Sequence, residues 1–304
     1  MANMKAVATR VVGEIASLPW VKVPLRMACH AGLVPKYILA RMSINSTFSI
    51  GIESVSPFQY SAVCGDAIGS ALFWSYGKDF EPETVKVFVK VVKTCRRFFD
   101  VGANTGIFSL LACAANSKIS VVALEPVPRI CQRLTENIRI NGWTDRCATV
   151  NQAVSNEVEE VVFHVPNSAI PTSSSLNVNG FRGTYGDLFA VKATTIDAIV
   201  SEFGMPDLLK VDVEGYEDKV FEGMTGILET APPVMVVECL PDGPHNKYES
   251  ILGAYGYRYF QIVEEGLRCM RKIEPDRSEV YRNFMFVPPS RLSWVEQHLH
   301  CAAA

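Results

Sequence analysis

The hydrophobic pattern changes character near residue 75. Before it, Val11, Val12, Ile15 and Leu18 recur at helical spacing, and Pro19, Pro24 and Pro35 break the run between Ala6 and Met42 into short helices. Residues 43–70 alternate weakly and are rich in Ser and Gly, which predicts a small hairpin or irregular connection. An aromatic cluster, Phe73-Trp74-Ser75-Tyr76-Gly77-Lys78-Asp79-Phe80, then precedes a helix with Pro82 at its first position. Asp79 or Glu81 is placed to cap that helix, and Val85, Phe88, Val89 and Val92 share its inward face. The cluster reads as core packing, with a lid over an active site as the alternative.

From Phe98 onward, apolar strands alternate with amphipathic helices. Strands are predicted at 98–100, 119–124, 148–154, 208–213 and 234–239, and helices at 105–115, 128–140, 195–203, 216–224 and 247–255. An antiparallel strand at 158–165 leads into a Pro/Ser/Asn/Gly loop at 166–186, which either covers a pocket or is merely flexible. Two late strands, 257–263 and 283–287, flank a charged excursion from Arg268 to Arg282. The alternation predicts an α/β domain over 76–300 with an open, mostly parallel sheet, preceded by a helical or irregular extension over 1–75.

The first candidate chemistry is the turn Asp100-Val101-Gly102-Ala103-Asn104-Thr105-Gly106 between a strand and a helix. Glycines at 102 and 106 permit positive φ and close backbone approach, and the helix start directs N–H groups and the dipole's positive end into the turn. In open α/β sheets nucleotides bind at such a place. The spacing D-x-G-x-x-x-G is not the G-x-G-x-x-G of dinucleotide enzymes. A leading carboxylate suits a ligand carrying positive charge, such as S-adenosylmethionine, better than a pyrophosphate. Glu125, at the end of the next strand, is placed to accept hydrogen bonds from a ribose diol, or else to cap the following helix.

Lys210-Val211-Asp212-Val213-Glu214-Gly215-Tyr216-Glu217 crowds carboxylates and a lysine where a strand meets a helix. Alternation puts Lys210, Asp212 and Glu214 on one face, and crowded acids raise one another's pKa, as a general base or metal site requires. A charged helix N-cap accounts for Glu217 but not for Asp212. Glu238, followed by Pro241-Asp242-Gly243-Pro244-His245, offers a carboxylate and a histidine that can take a proton, or a plain turn with an exposed histidine. Hard carboxylates at Asp212, Glu214 or Glu238 suit magnesium, but three acids do not specify a metal and none is assigned.

Charge narrows the partners. A net charge of −3 argues against a dedicated nucleic-acid binder and leaves small-molecule or glycan acceptors. The basic, apolar N-terminal region reads as a cap on the main domain, or as a segment making weak membrane-surface or partner contact. It shows no secretory signal and no uninterrupted apolar run of the ~20 residues a membrane span needs. Nine cysteines, none in a C-x-x-C pair, predict reduced thiols and a cytoplasmic location. The final Cys301-Ala302-Ala303-Ala304 has the form of a prenylation box without a polybasic partner and is read as coincidence.

Asp-Val-Gly-Ala-Asn-Thr-Gly at 100–106, Leu-Glu-Pro at 124–126, Asn-Gln-Ala-Val-Ser at 151–155, Ser-Ser-Leu at 174–176, Leu-Lys-Val-Asp-Val-Glu-Gly-Tyr-Glu at 209–217 and Val-Val-Glu at 236–238 occur in order. Together, over about 75–290, they resemble the FkbM family of S-adenosylmethionine-dependent methyltransferases. The resemblance implies a class I methyltransferase fold of seven strands ending in an antiparallel hairpin. It implies that Asp100, Gly102, Asn104 and Gly106 line the methionine end of S-adenosylmethionine, that Glu125 holds the ribose, and that Gln152, Ala153 and Val154 flank the adenine. Asp212 would lie near the transferred methyl, with Glu238 and His245 as further catalytic candidates, and the acceptor would be a hydroxyl on a sugar or secondary metabolite. The alternatives are N-methylation, a nicotinamide-dependent oxidoreductase and a non-catalytic nucleotide-binding protein.

Overall fold

A computed structural model describes residues 19–30, 33, 44–78, 80–165, 187–275, 277–278 and 280–302. In chain order the elements are α1 (Pro19–His30), β1 (Ser46–Ile50), β2 (Phe58–Ala62), α2 (Ala67–Ser75), α3 (Pro82–Val92), β3 (Arg97–Val101), α4 (Ile107–Ala115), β4 (Ser120–Leu124), α5 (Pro128–Ile140), β5 (Cys147–Val150), β6 (Ala153–Val154), β7 (Glu160–Val165), β8 (Asp187–Thr194) and α6 (Ile196–Phe203). There follow β9 (Leu208–Val211), α7 (Glu217–Glu222), α8 (Thr225–Thr230), β10 (Val234–Glu238), α9 (His245–Gly253), β11 (Arg258–Val263), β12 (Gly266–Met270), β13 (Asn283–Val287), α10 (Pro289–His298) and β14 (Cys301–Ala302).

The central sheet runs β14-β12-β11-β13-β10-β9-β3-β4-β5. Strands β5, β4, β3, β9 and β10 are parallel, and β13 inserts antiparallel between β10 and β11. This is the predicted class of open α/β sheet, with nine strands among the described residues in place of seven. The additions are β12, which folds back on β11 through the two-residue turn Glu264-Glu265, and the two-residue β14 beside it. The charged residues from Arg268 onward concealed the strand in which Leu267 is buried and Arg268 exposed.

Alternation within the strands sends neighbours to opposite layers. Phe98, Val121, Leu208 and Val236 join one buried cluster with α3 and α4, while Phe99, Val122, Leu209 and Val237 join the other with α6–α9. The centre is held in register by Asp207, whose Oδ2 accepts the N–H groups of Arg96 and Arg97 at 2.6 and 3.0 Å.

Three further departures are local, and the first has a visible cause. The predicted strand over 148–154 breaks at Asn151, whose side-chain amide donates to the carbonyls of Glu125 and Pro126 at 2.8 and 2.9 Å. Ala153–Val154 then leaves the main sheet and pairs in parallel with β8, an unforeseen strand that also pairs antiparallel with β7. Pro24 lies inside α1 rather than ending it. The predicted helix from Ala6, the region 166–186 and the Ser174–Leu176 match lie outside the described residues.

The β1–β2 hairpin packs into the same core as α4: Ile44, Phe48, Ile50, Phe58 and Tyr60 share a cluster with Leu110 and Leu111. Its outer edge is satisfied by α5. Arg133, Asn137 and Asn141, one turn apart, bond the Ser61 carbonyl, the Ser61 N–H and both backbone groups of Gln59. Buried Tyr60 donates to Asp66 Oδ2 at 3.0 Å, so Thr105 is the donor in the 2.6 Å contact between the Tyr60 and Thr105 hydroxyls. Tyr60→Phe leaves Asp66 short of a donor in a buried site and should cost about 1–3 kcal/mol in urea-induced unfolding; no loss of stability would show that this bond does not hold the hairpin.

Candidate functional site

The carboxyl ends of β3, β4, β9 and β10 open onto a cavity of about 310 Å³. Of the residues expected to bind a cofactor, Asp100, Gly102, Asn104, Glu125, Gln152, Ala153 and Val154 line it. Gly106 does not: it stands one residue before α4 with φ +92°, and its carbonyl accepts the Leu110 N–H at 2.8 Å. Asp212 and Glu238 line the cavity and His245 does not. Proline at 244 and the turn before it place His245 at the start of α9, half-buried against the Tyr248 ring, where burial lowers its pKa.

The turn after β3 is shaped by contact with the loop after β9. Asp212 donates its N–H to the Val101 carbonyl at 3.0 Å. Gly102 has φ +79°, and a Cβ there would collide with the Asp212 carbonyl, so this position admits only glycine on two grounds. Glu125 is fixed by two backbone donors, Asn104 N–H to Oε2 at 3.0 Å and Val127 N–H to Oε1 at 2.9 Å. Each oxygen keeps a second lone pair for further donors. Asp100 is buried and accepts the Ser109 hydroxyl at 2.7 Å.

Charge in the cavity is unbalanced. Glu81, Asp100, Glu125, Asp212, Glu214 and Glu238 line it against two cations, Lys210 and Arg282. Burial pushes Asp100 up to about 6 despite the opposing pull of Lys210, and pushes Glu125 up to about 7 despite its two backbone donors. Lys210 is 3% exposed, bonds Asp212 Oδ2 at 2.6 Å and lies 4.6 Å from the centre of the Phe108 ring. Burial works against its charge, but Asp212, Glu81 and Asp100 outweigh it and raise its pKa. Burial likewise works against ionised Asp212, yet the Lys210 ammonium and its hydrogen bond hold that carboxyl below the usual range. Glu238 goes the other way: burial, then Asp212 and Glu214, push it well above the carboxylate range, against the ion pair with Arg282 at 3.1 Å.

Two functional neighbours escape the sequence patterns. Glu81 stands at the N-cap position of α3, as expected, but makes no capping bond; φ of 38° accompanies a side chain that lines the cavity and accepts Asn283 Nδ2 at 3.1 Å. Arg282, at the end of the charged excursion, reaches Glu238. Phe80 also lines the cavity, whereas Phe73 and Trp74 are core. Glu217 organises the Val213–Gly215 turn, accepting the N–H groups of Val213 and Gly215 at 3.3 and 3.1 Å and the Tyr248 hydroxyl at 2.6 Å.

Residues 100–259 match the model of the methyltransferase FkbM domain. The chain belongs to the FkbM methyltransferase family. It is 28% identical over 162 residues to the hexuronic acid methyltransferase AglP of Haloferax volcanii, covering 51% of this chain and 61% of that one. It is 28% identical over 155 residues to the 31-O-demethyl-FK506 methyltransferase FkbM of Streptomyces tacrolimicus, covering 41% of this chain and 58% of that one. The match thus spans less than two thirds of either relative. Among solved structures, an FkbM methyltransferase from Methylobacillus flagellatus superposes with a TM-score of 0.43 at 14% identity, over 72% of this chain and 52% of that one.

The donor set fits S-adenosylmethionine. Asp100 and Asn104 offer acceptors for an ammonium, Glu125 has lone pairs for a ribose diol, and Gln152, Ala153 and Val154 flank the same cavity. Asp212, Glu214 and Glu238 bring carboxylate oxygens within 4.8 Å of one another, but Lys210 and Arg282 already pair with two of them.

Gly102→Ala should weaken S-adenosylmethionine binding by tenfold or more, a roughly 1.4 kcal/mol loss, in calorimetry. Unchanged affinity would show that the 102–212 contact does not shape the site. Because Asp100 and Glu125 ionise only above about 6 and about 7, affinity for the cationic cofactor should rise with pH through that window. A flat profile would remove these carboxylates from cofactor recognition.

Proposed function

We propose that this chain is an S-adenosylmethionine-dependent methyltransferase acting on a hydroxyl group of a sugar or secondary metabolite. The observation that carries the proposal is one cavity lined both by the Asp100–Glu125 pair and by Asp212, which Lys210 keeps ionised. Membership of the FkbM family supports the reaction class, and the two relatives, named for a hexuronic acid and for a demethylated FK506, support the acceptor class.

When bound, S-adenosylmethionine supplies an electrophilic methyl carbon. The chain's own part is alignment and proton management. Asp212 accepts a hydrogen bond from the acceptor hydroxyl and takes its proton as the oxygen loses electron density to the new bond, so a base of modest strength suffices. Lys210, bonded to Asp212, fixes the carboxylate's position and keeps it unprotonated beforehand. Glu238 and Arg282 form the neighbouring wall, where Glu238, whose burial favours its protonated form, hydrogen-bonds Asp212 and helps keep it ionised. N-methylation is the second reading. It is favoured by the carboxylate excess around Glu81, Asp212, Glu214 and Glu238, which would attract an amine-bearing acceptor.

Asp212→Asn should lower kcat about 10²–10⁴-fold with a cofactor affinity changed far less, measured by methyl transfer to candidate acceptors and by calorimetry. Equal turnover would remove Asp212 from the mechanism. Absence of S-adenosylmethionine binding by the unmodified chain would favour a non-catalytic role instead.

A further inference from the structure

Among the described side chains of helix α1, the exposed ones form one stripe, and that stripe is apolar. Trp20, Val23, Pro24 and Met27 fall at i, i+3, i+4 and i+7, and all four are exposed, with Trp20 at 74%, Val23 at 59% and Met27 at 63%. Soluble surface helices show the opposite pattern, with polar residues outward.

The orientation is set from the other side. Arg26 donates Nε–H to the Phe73 carbonyl at 2.8 Å and lies over the Tyr76 ring at 3.7 Å and the Phe73 ring at 4.6 Å. Leu25 and Cys29 pack against the main core from the same face. Leu33, beyond the helix, adds another exposed apolar side chain at 75%. A helix docked by a cationic side chain, with its hydrophobic stripe turned away from the protein, has an external surface as its counterpart.

Charge selects the counterpart. Residues 1–42 contain Lys5, Arg10, Lys22, Arg26, Lys36 and Arg41 against Glu14 alone, a charge of +5 within a chain of −3, so the remaining residues carry −8. Two such segments would repel, which disfavours a second copy on this stripe. A surface that is apolar within and negatively charged outside satisfies both features, and tryptophan is favoured at that boundary. Among the described residues no helix is long and apolar enough to cross a membrane. We propose that α1 docks this protein on an anionic lipid surface, with Trp20, Val23 and Met27 inserted at the headgroup level. The inference is independent of the methyl-transfer chemistry.

The test is co-sedimentation of the full chain with vesicles of phosphatidylcholine alone or mixed with phosphatidylserine. Binding is expected to the mixed vesicles, weakened by high salt, and reduced about tenfold or more in a Trp20→Ser, Met27→Ser variant. That variant should keep its thermal stability, since both side chains are exposed, and Val158→Ser, which changes an apolar residue exposed elsewhere, should bind vesicles as the parent does. Failure to bind phosphatidylserine vesicles, or equal binding by the double variant, overturns the proposal. So does concentration-dependent dimerisation in analytical ultracentrifugation that the double variant abolishes, or protection of the stripe by residues 1–18, seen as new vesicle binding only after their removal.

Discussion

The Lys210 ammonium is the charge on which the site depends. It is buried, it bonds Asp212 at 2.6 Å, and Asp100 and Glu81 lie close enough to raise its pKa. An unpaired lysine there would face a desolvation cost that breaking a buried pair puts at about 3–5 kcal/mol. The carboxylates have the same need, because burial without a counter-charge would protonate them. Their mutual requirement explains how an apolar strand tolerates Lys210 at its centre: the sequence Leu208-Leu209-Lys210-Val211 places one cation under three acids contributed by different elements.

The two carboxylates at the centre of the proposed chemistry are chemically alike and physically opposite. Asp212 meets Lys210 directly, whereas Glu238 meets Arg282 at 3.1 Å while Asp212 and Glu214 repel its charge. One is thereby held ionised and the other favours its protonated form. The difference comes from their neighbours and not from the residue types.

The residues legible in the sequence are those whose role follows from a strand ending. Asp100, Glu125 and Asp212 stand at or just beyond the carboxyl ends of β3, β4 and β9, and a rule about open α/β sheets locates them without knowledge of packing. The two buried faces follow from the same local alternation, while the strand order is a matter of tertiary pairing. Glu81 and Arg282 obey no such rule. Each sits beside an element that reads normally, a helix start and a charged excursion, and becomes part of the cavity only through tertiary approach. His245 shows the converse: proximity to Glu238 in sequence suggested a pair, but α9 carries it to the Tyr248 ring. β12 and β8 went unread because charged or polar neighbours masked a half-buried alternation, and β5 ended early because Asn151 competes for backbone carbonyls.

The hydrogen bond between Asn283 and Glu81 joins residues 202 positions apart. Neither local propensity nor the parallel strands around β3 can form it; both ends of the domain must already be in place. Loop closure over such a distance makes this contact entropically expensive early in folding and rewarding only late. Glu238, Arg282 and Asn283 lie far along the chain from the glycine turn and Glu125, so the complete cavity requires both ends of the domain to be joined.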